Sequence, residues 1–139
     1  TLEPLRAYQG LFSLELHPAK KLDVFGYYGG EYVQRTLYLN AKGQQVGYAP
    51  LSQNNAGCFT EGLPASGGTS PAGSCSALTR YISEPTVGFT YRFYDSPKYG
   101  RIQEEIQYSY LKKDSWTGTG GAPQSTNNML FTSMRYYIP

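Results

Sequence analysis

Two-residue alternation of apolar and polar side chains constrains this chain most, because only an extended strand sends every second residue to the same face. From about Leu5 to His17, Tyr8, Gly10, Phe12, Leu14 and Leu16 share one face, and Ala7, Gln9, Leu11, Ser13, Glu15 and His17 share the other. A second run, about Leu22 to Leu39, sets Leu22, Val24, Gly26, Tyr28, Gly30 and Tyr32 against Asp23, Phe25, Tyr27, Gly29, Glu31, Val33 and Arg35. The third, Thr86 to Tyr94, is the clearest, with Val87, Phe89, Tyr91 and Phe93 on one side. The fourth spans Arg101 to Lys113 and the last Asn128 to Ile138. No window of useful length repeats at 3.6 residues. The expected fold is therefore all-β: a single segment over 1–139 forming an antiparallel up-and-down meander of about five strands.

The connections differ in length. Pro18 to Lys21 and Asp95 to Gly100 read as short turns, since Pro presets its backbone angle and Gly tolerates positive ones. Between about Asn40 and Pro85 the alternation stops and Gly, Ser, Pro, Asn and Gln dominate, and a shorter Gly-rich stretch covers about Asp114 to Asn127. Both read as loops. Cys58 and Cys75 fall in the longer one. In a cytosolic protein they would be free thiols; in an exported one they would staple the loop, and the disulfide is the expected state.

A formal net charge of +2, with the charges scattered, gives no footprint for nucleic acid. Charged residues make up 16% of the chain against the roughly 25% usual for soluble domains, while 14 Tyr accompany a single Trp. A side chain with an apolar ring and a polar tip suits a boundary between an apolar phase and water. No apolar run approaches the roughly 20 residues of a membrane-spanning helix, so only a closed β-barrel could carry this chain across a bilayer.

In strand length, one-sided apolarity, aromatics near strand ends and alternation of short with long connections, the chain resembles the C-terminal strands of a bacterial outer-membrane β-barrel. The last segment, Met129 to Pro139, is similar to a terminal strand of that class, although it ends in Pro139 where the class ends in an aromatic residue. The resemblance implies a non-enzymatic pore or surface scaffold at the outer membrane or cell surface of a Gram-negative-type bacterium. Membrane lipid would then be its partner, and the long loops and disulfide would face outward. Glu15, Glu31, Arg35, Arg92, Gln103, Glu105, Gln107, Ser133 and Arg135 are candidates to line a hydrated lumen; the alternative is the solvated face of a soluble sheet. Tyr8, Tyr28, Tyr32, Tyr91, Tyr108, Tyr110, Tyr136 and Tyr137 are candidates for an aromatic girdle or a subunit interface.

About five strands are too few to close a barrel. Since bacterial single-chain barrels have even strand numbers, at least one further strand is expected upstream of Thr1. Otherwise several copies complete the sheet, making the chain a homo-oligomeric, secreted subunit of an extracellular tube or filament. A third reading is a carbohydrate-binding β-sandwich using its tyrosines for sugar.

Catalytic signals are few. His17, the one histidine, stands beside a turn and reads as a polar strand end. Glu104 and Glu105 are adjacent in a strand, so they point to opposite faces and cannot converge on one bond. No metal-binding or phosphate-cradling motif occurs, and no cofactor is expected.

Overall fold

The computed structural model describes residues 4–59 and 75–139. The described strands are β1 (Ala7–Ala19), β2 (Leu22–Val33), β3 (Thr36–Leu39), β4 (Gln45–Tyr48), β5 (Thr79–Ser96), β6 (Gly100–Ser115) and β7 (Gln124–Tyr137). A five-stranded sheet runs in the order β1-β2-β5-β6-β7, while β3 and β4 form a two-stranded sheet of their own. The fold is all-β, and the large sheet is an antiparallel meander that does not close on itself. β1 and β7 are its edges.

The strand ends differ from the sequence expectation for identifiable reasons. Pro18 and Ala19 belong to β1, and the turn is made by Lys20 and Lys21. An edge strand tolerates Pro18, because a missing N–H is harmless where no neighbour needs it. The run expected over Leu22 to Leu39 breaks after Val33. Gln34 donates its backbone N–H to the Arg6 carbonyl at 2.8 Å, and beyond it Thr36–Leu39 leaves for a hairpin with Gln45–Tyr48, in register Thr36↔Tyr48 through Leu39↔Gln45. Both pieces keep the same period, so alternation could not reveal the change of partner.

The loop expected over 40–85 therefore contains β4, a 3₁₀ turn (Ala56–Phe59) and the start of β5. Pro85 lies inside β5, where a residue with no N–H to give the ladder disguised the strand. The loop expected over 114–127 is shorter, since β7 begins at Gln124. Cys58 and Cys75 are joined in a disulfide. The rest of the long loop, 60–74, lies outside the described residues.

The chain divides into two compact units. Unit 1 comprises Thr1–Gln9, Glu31–Ile82 and Lys113–Ser125. Its order comes from hydrogen bonds that side chains make to backbone. Asn40 Oδ1 accepts from the N–H groups of Lys42 and Gln44, both at 2.9 Å, which closes the β3–β4 turn. Asn55, fully buried, donates from Nδ2 to the carbonyls of Trp116 (2.9 Å) and Gly121 (2.8 Å). Gln53 Nε2 donates to the same Trp116 carbonyl at 2.9 Å. Trp116 in turn donates its indole N–H to the Val33 carbonyl at 3.0 Å.

Unit 2 comprises Gly10–Gly30, Ser83–Lys112 and Thr126–Pro139. Both short turns belong to it, and the second closes at Gly100, whose φ of +83° suits a residue without a Cβ. Close approach is decided at Gly88. A Cβ there would lie 2.5 Å from Phe25 Cζ and 2.7 Å from the Ile106 carbonyl oxygen, so no larger residue fits between β2 and β6. Gly88→Val is accordingly expected to cost about 1–3 kcal/mol through overpacking. A lowered urea midpoint of the folded chain would show it; an unchanged midpoint would mean that Phe25 is not seated over Gly88.

Candidate functional site

Burial in unit 2 is inverted relative to an ordinary soluble sheet. Along β5 the apolar side chains of Val87, Phe89, Tyr91 and Phe93 are exposed, while the alternating Gly88 and Thr90 are buried. On neighbouring strands Asp23, Gln103 and Ser109 are buried as well, with Ser109 fully so. Phe25, 9% exposed, is the buried apolar side chain among them. Leu11 of β1 and Phe131 of β7 depart from this separation by alternating with the apolar set, but both belong to edge strands and are exposed.

Asp23 and Ser109 are each held by polar neighbours. Arg92 reaches Asp23 with both terminal guanidinium nitrogens, and His17 Nδ1 contacts the same carboxylate at 2.7 Å. The Asp23 side chain is 13% exposed and that of Arg92 21%, so the pair is largely withdrawn from water, whereas His17, at 65%, is not. Thr86 Oγ1 and Ser109 Oγ share a hydrogen bond of 2.7 Å, and Gln107 Nε2 donates to Ser109 at 3.2 Å. Further along, Arg135 lies 3.9 Å from Glu105 and donates from Nε to Ser133 Oγ at 3.2 Å. A buried polar group left without a partner costs far more than a satisfied one gains, so such a row persists only if its members are matched.

On the opposite face Leu22, Val24, Val87, Phe89, Ile106 and Tyr108 line a shallow apolar hollow. The polar atoms there are also engaged. Tyr108 donates its hydroxyl to Asn128 Oδ1 at 2.6 Å, Tyr136 donates to the Tyr99 carbonyl at 2.7 Å, and Thr132 Oγ1 donates to Glu104 Oε1 at 3.4 Å. Glu104, a carboxylate on an otherwise apolar face, thus has a hydroxyl partner. Glu105, bound to Arg135, turns the other way, as adjacent strand residues must.

Of the remaining candidates, Tyr8, Glu31, Tyr32 and Arg35 fall in unit 1. Tyr8 stacks on Tyr32 with ring centres 6.5 Å apart, and Tyr32 meets the edge of Trp116 at 6.1 Å. Arg35, expected to line a lumen, follows the end of β2, lies over Trp116 and donates to the Thr117 carbonyl at 2.6 Å. Glu31, exposed, lies two residues before the end of the same strand. Of the other tyrosines, Tyr28 is exposed, Tyr91 meets Phe93 edge-on, Tyr110 is half-buried and Tyr137 lies beneath the Arg101 guanidinium. Glu15 lies exposed on β1.

Sequence reading missed Asp23, Thr86, Thr90 and Ser109. Their period-two spacing placed Asp23 on the face of Glu31 and Arg35, which is the signal that could have found it; which cation pairs with it is a cross-strand fact. Among the described residues no group of three or more His, Cys, Asp or Glu side chains gathers as a metal site would require. Comparison with protein-family models, with curated proteins and with solved structures returns no match.

Two expectations follow. Asp23→Asn keeps the volume and removes the charge that Arg92 faces, so it is expected to cost about 1–3 kcal/mol, and a double-mutant cycle with Arg92→Gln should return a coupling of at least about 0.5 kcal/mol. Strict additivity would disprove the pair. In unit 1, Tyr48 donates its hydroxyl to the Thr79 carbonyl at 2.7 Å; burial foremost, then the negative charge of Glu31, pushes its titration above the usual 10.0. A raised value means that the folded state favours the protonated hydroxyl. Stability from this group is therefore intact below pH 10 and declines as pH climbs through the window above it. Denaturation profiles of Tyr48→Phe should fall less steeply above pH 10 than those of the parent chain, and parallel profiles would contradict the assignment.

Proposed function

We propose that this chain is part of a non-enzymatic outer-membrane β-barrel, contributing to a pore or surface scaffold, with its apolar face toward lipid and its polar face toward a hydrated interior. The observation that carries the reading is the inverted burial of unit 2: Val87, Phe89, Tyr91 and Phe93 outward, Thr90, Gln103, Ser109 and Asp23 inward. Water would oppose such an arrangement, since apolar surface gains roughly 25 cal/mol per Å² on leaving it and soluble monomers seldom expose apolar patches beyond a few hundred Å². Lipid favours it. Tyrosines on the same face, with their hydroxyls bonded to Asn128 and to the Tyr99 carbonyl, fit the interfacial role of such side chains in barrels.

The edges specify what else the reading needs. β1 and β7 each have one neighbour, and an unpaired row of N–H and C=O groups costs several kcal/mol per group in hydrocarbon. Additional strands must pair with both. These could come from the same polypeptide or from other copies, and the open edges favour as a second reading a secreted subunit whose copies share one sheet in a tube or filament. A carbohydrate-binding sandwich has less support, because a sandwich buries its apolar faces against each other.

Dispersal behaviour tests the proposal. The folded chain should require detergent or lipid to stay in solution and should show heat-dependent migration in detergent gels, whereas a monodisperse monomer in plain buffer would reject it. Regular filaments seen by electron microscopy of detergent-free material would instead favour shared sheets.

A further inference from the structure

Both edges of the large sheet carry an apolar side chain on the otherwise polar face. Leu11 of β1 is 77% exposed and Phe131 of β7 is 52% exposed. The contacts of His17 with Asp23 and of Arg135 with Glu105 tie the parity sets of Leu11 and Phe131 to that polar side. A Cβ on Gly29 of β2 would lie 3.7 Å from Leu11 Cδ1, so the leucine sits where its inner neighbour has no side chain to cover it. A charge follows at the same spacing on each edge. Glu15, exposed, comes four residues after Leu11, and Arg135, whose side chain is 55% exposed, comes four residues after Phe131. All four residues belong to unit 2.

An antiparallel meander of five strands sends its first and last strands the same way. A second copy that continues the sheet in the same orientation therefore lays its β7 parallel to β1. In that direction one register sets Leu11 beside Phe131, Ser13 beside Ser133 and Glu15 beside Arg135, running from Ala7 beside Asn127 to His17 beside Tyr137. The apolar intruders then cover each other and the acid meets the base. On the outer face the same register sets Leu14 beside Met134 and Leu16 beside Tyr136, all exposed, so the apolar band runs on across the seam. A slip of two residues puts Glu15 beside Ser133 or Tyr137, and an antiparallel alignment that keeps Leu11 beside Phe131 puts Glu15 beside Asn127. Cross-strand side-chain pairs and the enclosure of one face are what specify a register, and here both requirements select the same one.

We infer that the partner of each sheet edge is a second copy of this chain in the same orientation, its β7 paired in parallel with β1 in the register Leu11↔Phe131 and Glu15↔Arg135. The inference rests on the reading that further strands complete both edges, and it names their source. Such a seam joins unlike edges, so copies add head to tail and close by rotation. Two copies already bring more than the roughly eight strands with which a small barrel fills. Each seam also supplies partners to the backbone N–H and C=O groups that an open edge leaves unpaired.

Crosslinking between separately marked copies tests the seam. Full chains carrying Ser13→Cys or Ser133→Cys are folded together in nonionic detergent, with the Cys58–Cys75 disulfide intact, and treated with a short bis-maleimide. The expected product joins unlike chains, with little product from either variant alone. Products joining like chains mean that β1 meets β1 or β7 meets β7, and overturn the inference. Charge reversal gives a second measurement that introduces no cysteine. Glu15→Arg and Arg135→Glu should each weaken association in detergent about tenfold at low salt, measured by light scattering, and the double variant should recover it. Failure of the double variant to recover what both single variants lose also overturns the register. A parent chain that needs detergent yet stays a monomer in it overturns the seam and leaves the membrane reading standing. A monodisperse monomer in plain buffer overturns both.

Discussion

An antiparallel ladder leaves each side chain two directions to take, and in unit 2 the direction that carries the apolar groups is the one left open. Everything else there follows from that division. Because Thr90, Gln103 and Ser109 are enclosed and Val87, Phe89 and Phe93 are not, burial of apolar side chains cannot be the main source of order inside the unit. Backbone pairing and matched polar contacts must supply it, and the surrounding medium must accept the outward face.

The polar side shows how such matching is achieved. Asp23 is met by Arg92 from a neighbouring strand and by His17 across the first turn, so the charge least able to tolerate isolation has two partners. Hydroxyls and amides occupy the middle of the row, where Thr86, Ser109 and Gln107 satisfy one another. Size matters as much as polarity: Gly88 leaves room for the Phe25 ring, which a side chain on β5 would displace.

Unit 1 uses a different device. Its segments are tied by buried amides: Asn55 and Gln53 both donate to the carbonyl of Trp116, whose indole donates to Val33. That arrangement sets the Trp116 ring against Arg35 and Arg80, drawn from distant parts of the chain.

Alternation made much of the large sheet legible. It located all five of its strands, because Val87-Gly-Phe-Thr-Tyr-Arg-Phe and Leu22-Asp-Val-Phe have a period of two that no helix shares. Strand ends were harder. Pro18 and Pro85 read as breakers, yet the first lies on an edge and the second is accommodated within β5, and neither position is marked locally. The cysteine pair was legible from its loop context. Arg92, Glu105 and Arg135 were placed on the polar face by parity, but Asp23 drew no attention, since a lone acid near a turn looks like ordinary solvation.

By itself the sequence determined that the chain forms strands with one apolar and one polar side, because side-chain direction in an extended backbone is fixed by the parity of position. Only the tertiary structure decided which side is enclosed, where Thr36–Leu39 changes partner, that Arg92 answers Asp23, and that Arg35 and Arg80 meet over Trp116. The contacts of Arg92 with Asp23 and of Trp116 with Arg35 and Arg80 join residues 36 to 81 positions apart by number, brought together by how strands order across the sheet. A periodicity measured within each strand carries no record of them.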